Sequence, residues 1–176
     1  MMDNILTNII FLPLLLAVIL GIFRADTKYL KIGAMFSSVA TLFLVLLVAY
    51  NFDPNAGMQF VKTSPWIQNA GISYFVGLDA LSLVILLLIS LLMPPLYIYM
   101  YHENRKGYWY NMMLLQTGVT GAVLSLDLIL FYLFWETMLL PIFVMIGKYG
   151  NGKHQYNSMK IVLMTILGSM SMLFSI

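Results

Sequence analysis

The sequence has no cysteine, only two histidines, and charged residues at just 9% of its 176 positions. Without cysteine, this chain cannot hold a disulfide, an iron–sulfur cluster or a cysteine-bound zinc ion. His102 and His154 both lie among polar residues, so no apolar segment offers two axial ligands to a buried haem. There is also no glycine-rich phosphate-binding loop. We therefore expect no cofactor site, no metal site and no redox chemistry within this chain.

Apolar residues are what the sequence has in excess. They make up 61% of the chain, and the mean hydropathy is +0.91, whereas soluble domains are about 45–50% apolar and about 25% charged. About 20 helical residues cross the ~30 Å hydrocarbon core of a bilayer. Cutting the sequence at its charges predicts an all-α integral membrane protein with about six membrane helices, at residues 4–23, 32–52, 80–101, 107–126, 128–147 and 161–176. The sixth is short and still apolar at the last residue, so we expect it to be incomplete and the natural protein to be longer.

The basic residues predict the orientation of these helices. Eight of the nine fall in alternate connections, and only Lys62 lies in the other set. Because Lys and Arg are enriched in cytoplasmic loops, this pattern places the N-terminus outside. The eight are Arg24, Lys28, Lys31, Arg105, Lys106, Lys148, Lys153 and Lys160.

The long outside connection, residues 53–78, lies between the second and third helices. It opens with the turn-forming residues 53–57, and two β-prone runs follow at 58–63 and 72–76. This pattern predicts a short β-hairpin, although such runs also occur in irregular loops.

Glu136 is the residue most suggestive of chemistry. It lies near the middle of the fifth predicted helix, where an ionised carboxylate costs about 2.5–3.5 kcal/mol on insertion scales. Acids inside membrane helices usually mark ion or proton pathways, which favours a proton or cation site. The alternative is a structural carboxylate that pairs two helices.

Three neighbours are expected to support Glu136. Pro141 has no amide hydrogen, so it frees the carbonyl of Thr137, which is then open to water or a partner. The Thr137 hydroxyl follows the acid directly, and Tyr132 shares its helical face by i±4 spacing, although ordinary packing also explains Tyr132. Because no basic residue lies inside a span, we expect the partner of Glu136 beyond Ile176.

Two other acids, Asp79 and Asp127, each directly precede an apolar helix. There a short carboxylate accepts free N–H groups and complements the helix dipole, so we predict caps rather than proton sites.

Small residues and prolines indicate how the helices pack and where they bend. Gly118 and Gly121 begin two small-x-x-x-small pairs on the fourth helix, which predicts close approach of another helix. Pro94 and Pro95 are expected to kink or break the third helix.

Two segments carry a family resemblance: residues 77–83, Gly-Leu-Asp-Ala-Leu-Ser-Leu, and residues 126–141, which contain Phe-Trp-Glu followed by Leu-Leu-Pro. With the later Tyr149-Gly150, they resemble the antiporter-like subunits of respiratory complex I, above all those of the subunit M (mitochondrial subunit 4) type. Mrp sodium/proton antiporters and membrane-bound hydrogenases contain related subunits. The resemblance runs in helix order across the whole chain.

The resemblance implies that Glu136 is the fifth-helix glutamate that pairs with a lysine on the seventh helix and helps to move protons. It implies leading helices in residues 1–107 and the start of the first antiporter-like unit in residues 108–176. It also implies a bacterial inner-membrane subunit of a hetero-oligomer that contacts other complex I membrane subunits and lipid, without nucleic acid. NADH, FMN, iron–sulfur clusters and quinone would bind other subunits. An Mrp antiporter or hydrogenase subunit and a structural scaffold remain alternatives.

Overall fold

The computed structural model describes residues 4–67, 72–149 and 154–175, and it contains six α-helices and one two-stranded sheet in that part of the chain. Gly150 of the family motif, the basic residue Lys153 and Ile176 lie outside the described residues. A single 3-10 turn, Met100–His102, extends the third helix. The elements are α1 (Ile5–Ile22), α2 (Thr27–Tyr50), β1 (Gln59–Ile67), β2 (Ile72–Leu78), α3 (Ala80–Tyr99), α4 (Lys106–Leu124), α5 (Leu128–Tyr149) and α6 (His154–Ser175).

The all-α membrane architecture is confirmed, but two helices start earlier than predicted. α2 begins at Thr27 rather than 32, and α6 begins at His154 rather than 161. Both early starts take in lysines, because a lysine can extend its charged end to the interface while its backbone stays helical. Among the described residues, α1, α2, α3 with its 3-10 turn, and α5 are long and apolar enough to cross a membrane.

The predicted hairpin is confirmed. β1 and β2 pair antiparallel, with Thr63 opposite Phe75. The hairpin is fastened to the start of α1 by the Tyr74 hydroxyl, which lies 3.1 Å from Thr7 Oγ1. Burial at this contact raises the pKa of Tyr74, and the Thr7 hydrogen bond lowers it by less. The amide of Leu126 donates to the Phe75 carbonyl across 2.8 Å, which joins the hairpin to the α4–α5 connection.

The bundle interior has two apolar clusters with a polar layer between them. One cluster joins the hairpin, the start of α1, the end of α2, the start of α3, the end of α4 and the start of α5. The other joins the end of α1, the start of α2, the end of α3 and the start of α4. Buried hydroxyl and amide groups lie between them along the sequences of α2, α3 and α4, and most of the hydroxyls bond to carbonyls of their own helix. These residues are Ser37, Ser38, Thr41, Ser90, Gln116, Thr117 and Thr120.

Glycine sets the distance between α4 and α5, as predicted. A Cβ at Gly121 would overlap the ring of Phe134, and one at Gly118 would meet the Met138 side chain and the Phe134 carbonyl. By contrast, Pro94 and Pro95 do not break α3, which continues to Tyr99. Neighbouring helices allow prolines to sit within a membrane helix in this way.

Both predicted N-caps are confirmed. The Asp79 carboxylate accepts the Ser82 amide hydrogen at 2.7 Å. Hydrogen bonds from the side chain of Ser82 and, to a smaller extent, from its backbone amide lower the pKa of Asp79. The Asp127 carboxylate accepts from the amides of Ile129 and Leu130 at 2.9 and 3.0 Å. These caps define the first residues of α3 and α5.

Candidate functional site

Glu136 lies on α5 and faces α6. The Asp127 cap fixes where α5 begins, so Glu136 sits slightly before the middle of this 22-residue helix. The glycines of α4 hold the opposite side of α5 at Phe134 and Met138. The Glu136 residue is half-buried. Tertiary packing thus directs the acid toward one neighbouring helix.

The described partner of Glu136 is Ser169 on α6. Ser169 is almost fully buried, and its hydroxyl donates to Glu136 Oε1 across 2.5 Å. The Ser169 hydroxyl oxygen also lies 3.1 Å from the carbonyl oxygen of Ile166, one turn earlier in α6. A hydrogen bond to a carboxylate is short and strong compared with one between neutral groups. Glu136 and Ser169 therefore form a polar contact between the last two helices.

Of the three supporting residues, the structure brings Tyr132 to the acid. Its phenol group is close enough to interact with both Glu136 and Ser169. Thr137 is oriented differently: its hydroxyl donates to the Leu133 carbonyl at 2.7 Å, and the residue lines a groove of about 370 Å³ beside the hairpin. Pro141 is buried within the continuous α5 helix.

A larger cleft of about 690 Å³ lies on the α6 side of α5 and is bordered by α3, α4, α5 and α6. Trp135 and Leu139, which flank Glu136, line it, and so does Thr165, one turn before Ser169. Most of the lining is apolar. The cleft brings open space close to the acid, although Glu136 is not among its lining residues.

The described ion pairs do not involve Glu136. The two described ion pairs are Arg105 with Glu103 at 2.6 Å and Lys106 with Asp26 at 3.4 Å. No three histidine and acid side chains come together as metal ligands in the described ranges. Neither described ion pair includes Glu136. That a lysine outside these 176 residues pairs with Glu136 stays a prediction.

Sequence reasoning missed Ser169. An acid inside a helix requires a donor, and hydroxyl residues of the sixth span were the available signal. Nothing in the sequence distinguishes Ser169 from Thr165 or Ser171, because only the rotation of α6 about its axis decides which hydroxyl faces α5.

Comparison with known proteins places this helix arrangement in a family. Residues 125–176, which include Glu136 and Ser169, match the family described as "NADH:quinone oxidoreductase/Mrp antiporter, TM". NADH-quinone oxidoreductase subunit M of Rhodobacter capsulatus is 38% identical over 98% of this chain and 35% of its own length. Residues 125–176 carry the membrane region of this family, and nearly the whole chain is similar to subunit M.

Two further comparisons support the sequence range and the fold. The F(420)H(2) dehydrogenase subunit M of Methanosarcina mazei is 34% identical over 96% of this chain and 34% of its own length. A chain of respiratory complex I from Thermus thermophilus, solved with bound NADH, superposes with a TM-score of 0.78 at 23% identity, covering 98% of this chain and 34% of the other. The sequence thus spans about a third of the length of its relatives, and the family resemblance inferred from the fifth-helix motif is confirmed.

Proposed function

We propose that this chain is part of a membrane-arm subunit of a proton-translocating NADH:quinone oxidoreductase. The observation that carries the proposal is Glu136, a half-buried acid in the middle of α5, inside the segment that matches the family. The subunit M relatives support the oxidoreductase assignment through their names. We place the protein in the bacterial inner membrane, within a hetero-oligomer.

In the proposed mechanism, Glu136 is one charge in an electrostatic relay. A change in a neighbouring charge alters the separation of Glu136 from a lysine partner, and this shifts the affinity of that partner for a proton. The proton is loaded or released without redox chemistry in this chain, since the nicotinamide, flavin, iron–sulfur and quinone steps take place in other subunits. Residues 1–107 form the leading helices, and residues 108–176 begin the proton-translocating unit.

The test is Glu136→Gln in the full-length protein assembled in its complex. NADH oxidation and proton uptake are measured together in inverted membrane vesicles, after assembly has been confirmed by native electrophoresis. We expect both activities to fall strongly, because the amide keeps the shape of the side chain and removes its charge. Asp26→Asn is the matched control, since it neutralises an exposed carboxylate that pairs with Lys106 and should leave both activities unchanged.

Each outcome separates one role from another. Loss of both activities in an assembled E136Q complex supports the relay. Normal proton uptake with normal NADH oxidation would reject it. Loss of the assembled complex would instead favour a structural scaffold in which Glu136 only joins α5 to α6.

A second candidate is an Mrp-type cation/proton antiporter or a membrane-bound hydrogenase subunit. The description of the matching family names Mrp antiporters as well as oxidoreductases, and the Methanosarcina relative is named for another electron donor. Purification of the tagged full-length protein with its partners distinguishes these assemblies. Flavin and iron–sulfur subunits with NADH oxidation would support the first proposal, whereas sodium-dependent proton exchange without them would support an antiporter.

A further inference from the structure

Ser169 differs from the other hydroxyl residues of α6 whose bonds the structure describes. Thr165 and Ser171 donate to the carbonyls of Ile161 and Leu167, at 2.8 and 2.7 Å, within their own helix. Ser169 also has a carbonyl of its own helix within reach, but its shorter contact is with the Glu136 carboxyl group on α5. Its hydroxyl therefore has two alternative acceptors.

We propose that Ser169 is a positioning residue that holds the Glu136 carboxyl group by a hydrogen bond in both its ionised and its protonated state. A serine hydroxyl can donate one hydrogen bond and accept two, and it rotates to suit its neighbours. This inference rests on the proposed role of Glu136 as a proton-relay group and adds a residue to that same site.

The two states differ only in the direction of hydrogen bonding. When Glu136 is ionised, the Ser169 hydroxyl donates to Oε1 across the 2.5 Å contact. When Glu136 carries a proton, the acid donates to Ser169 Oγ, and the serine hydrogen turns to the Ile166 carbonyl oxygen at 3.1 Å. No proton leaves Ser169, and neither helix has to move. The carboxyl group keeps a partner throughout, which avoids the cost of an unsatisfied buried polar group.

Burial makes this arrangement effective. Ser169 is 4% exposed, so in this position water does not readily replace its hydrogen bond. Tyr132 interacts with the same two groups from one turn earlier on α5. The acid is thus bordered by one phenol and one hydroxyl, and the serine supplies the close contact.

The experiment compares four variants in the full-length, assembled complex. Ser169→Thr keeps the hydroxyl. Ser169→Val introduces a side chain of nearly the same shape as threonine but without the hydroxyl, and Ser169→Ala removes the hydroxyl without adding volume. Ser171→Ala is the matched control on the same helix, because its hydroxyl bonds only to a local carbonyl in the structure. Proton uptake per NADH oxidised and the NADH oxidation rate are measured beside E136Q.

We expect S169T and S171A to retain proton uptake, and S169V and S169A to lower it by about three- to tenfold. Equal uptake in S169V and S169T would overturn the inference. So would failure of S169V and S169A to assemble while S169T assembles, since the hydroxyl would then be a structural contact. If E136Q itself pumps normally, the proposed function fails, whereas an inactive E136Q with fully active S169A and S169V rejects only the role of Ser169.

Discussion

The hydroxyl of Tyr97 on α3 donates to the side-chain oxygen of Gln116 on α4 across 3.1 Å, with both residues fully buried. The amide nitrogen of Gln116 has no hydrogen-bond partner in the described structure. This contact belongs to the polar layer between the two apolar clusters, and it is the one described side-chain hydrogen bond that joins α3 to α4. The oxygen of the Gln116 side-chain amide is therefore hydrogen-bonded, and its one described bond depends on Tyr97.

The Tyr97–Gln116 pair predicts a non-additive response. Tyr97→Phe leaves the whole amide of Gln116 unpaired, and Gln116→Leu leaves the tyrosine hydroxyl unpaired. The double variant removes both polar groups, so we expect it to be more stable than the sum of the two single losses predicts. Coupling energies for such bonds in membrane proteins average about 0.6 kcal/mol and reach about 1.7 kcal/mol. Thermal unfolding in detergent measures the stability of the wild type, the two single variants and the double variant. Tyr99→Phe, which changes an exposed tyrosine on α3, is the control. Strictly additive losses of stability would contradict a coupling between Tyr97 and Gln116.

Glycine at 121 is predicted to be essential for α4–α5 packing. An alanine Cβ there overlaps the ring of Phe134, which is itself buried. We expect Gly121→Ala to lower the unfolding free energy by about 1–3 kcal/mol through overpacking. Gly168→Ala is the control, because a Cβ at Gly168 meets nothing within 4 Å. Equal melting temperatures for the two variants would show that α5 shifts freely away from α4.

Lys31 is predicted to hold the connection between α3 and α4. Its buried amino group donates to the Tyr101 carbonyl at 2.7 Å and to Asn104 Oδ1 at 2.8 Å. Lys31→Met leaves these acceptors without their charged donor, so we expect faster amide hydrogen exchange in residues 100–106 and a loss of roughly 1–3 kcal/mol in stability. Lys28→Met changes an exposed lysine of the same helix and should leave exchange unchanged. Identical exchange in both variants would contradict this assignment.

Glu103 is predicted to give the same connection a pH dependence. Hydrogen bonds from the Arg105 guanidinium lower the pKa of Glu103 from 4.5 to about 2. Because the folded-state pKa is below the unfolded value, the stabilisation is present above about pH 4.5 and is lost as the pH falls toward 2. The melting-temperature difference between wild type and Glu103→Gln should shrink over that interval, and only modestly, since Arg105 is exposed. Parallel curves for the two proteins would rule out a depressed pKa.

Arg105→Met provides the companion measurement. It keeps the Glu103 carboxylate and removes its donor, so its melting temperature should change less with pH than that of the wild type over the same interval. The substitution also removes the guanidinium from above the Tyr149 ring, 4.4 Å away at the end of α5. A wild-type pH response in R105M would show that another group depresses the pKa of Glu103.

Helix boundaries show where charge patterns are informative and where they are not. Cutting at charges located α1, α3, α4 and α5 to within a few residues, but it started α2 and α6 too late. A lysine does not mark the end of a helix, because its long side chain lets the charge lie outside the apolar region while the backbone stays helical. The N-caps Asp79 and Asp127 were predictable because a cap depends on residues close in sequence.

Hydropathy, turn chemistry and capping are local properties, so the membrane class, the six helices, the hairpin, the caps and the unusual acid Glu136 were all predictable from sequence. Which side chains meet Glu136 depends on tertiary packing. Ser169 lies 33 positions away in sequence, and its contact depends on the rotation of α6 against α5. The unpaired amide nitrogen of Gln116 and the close approach of Gly121 to Phe134 likewise follow from how neighbouring helices pack, and that packing arises from the summed shape of many side chains.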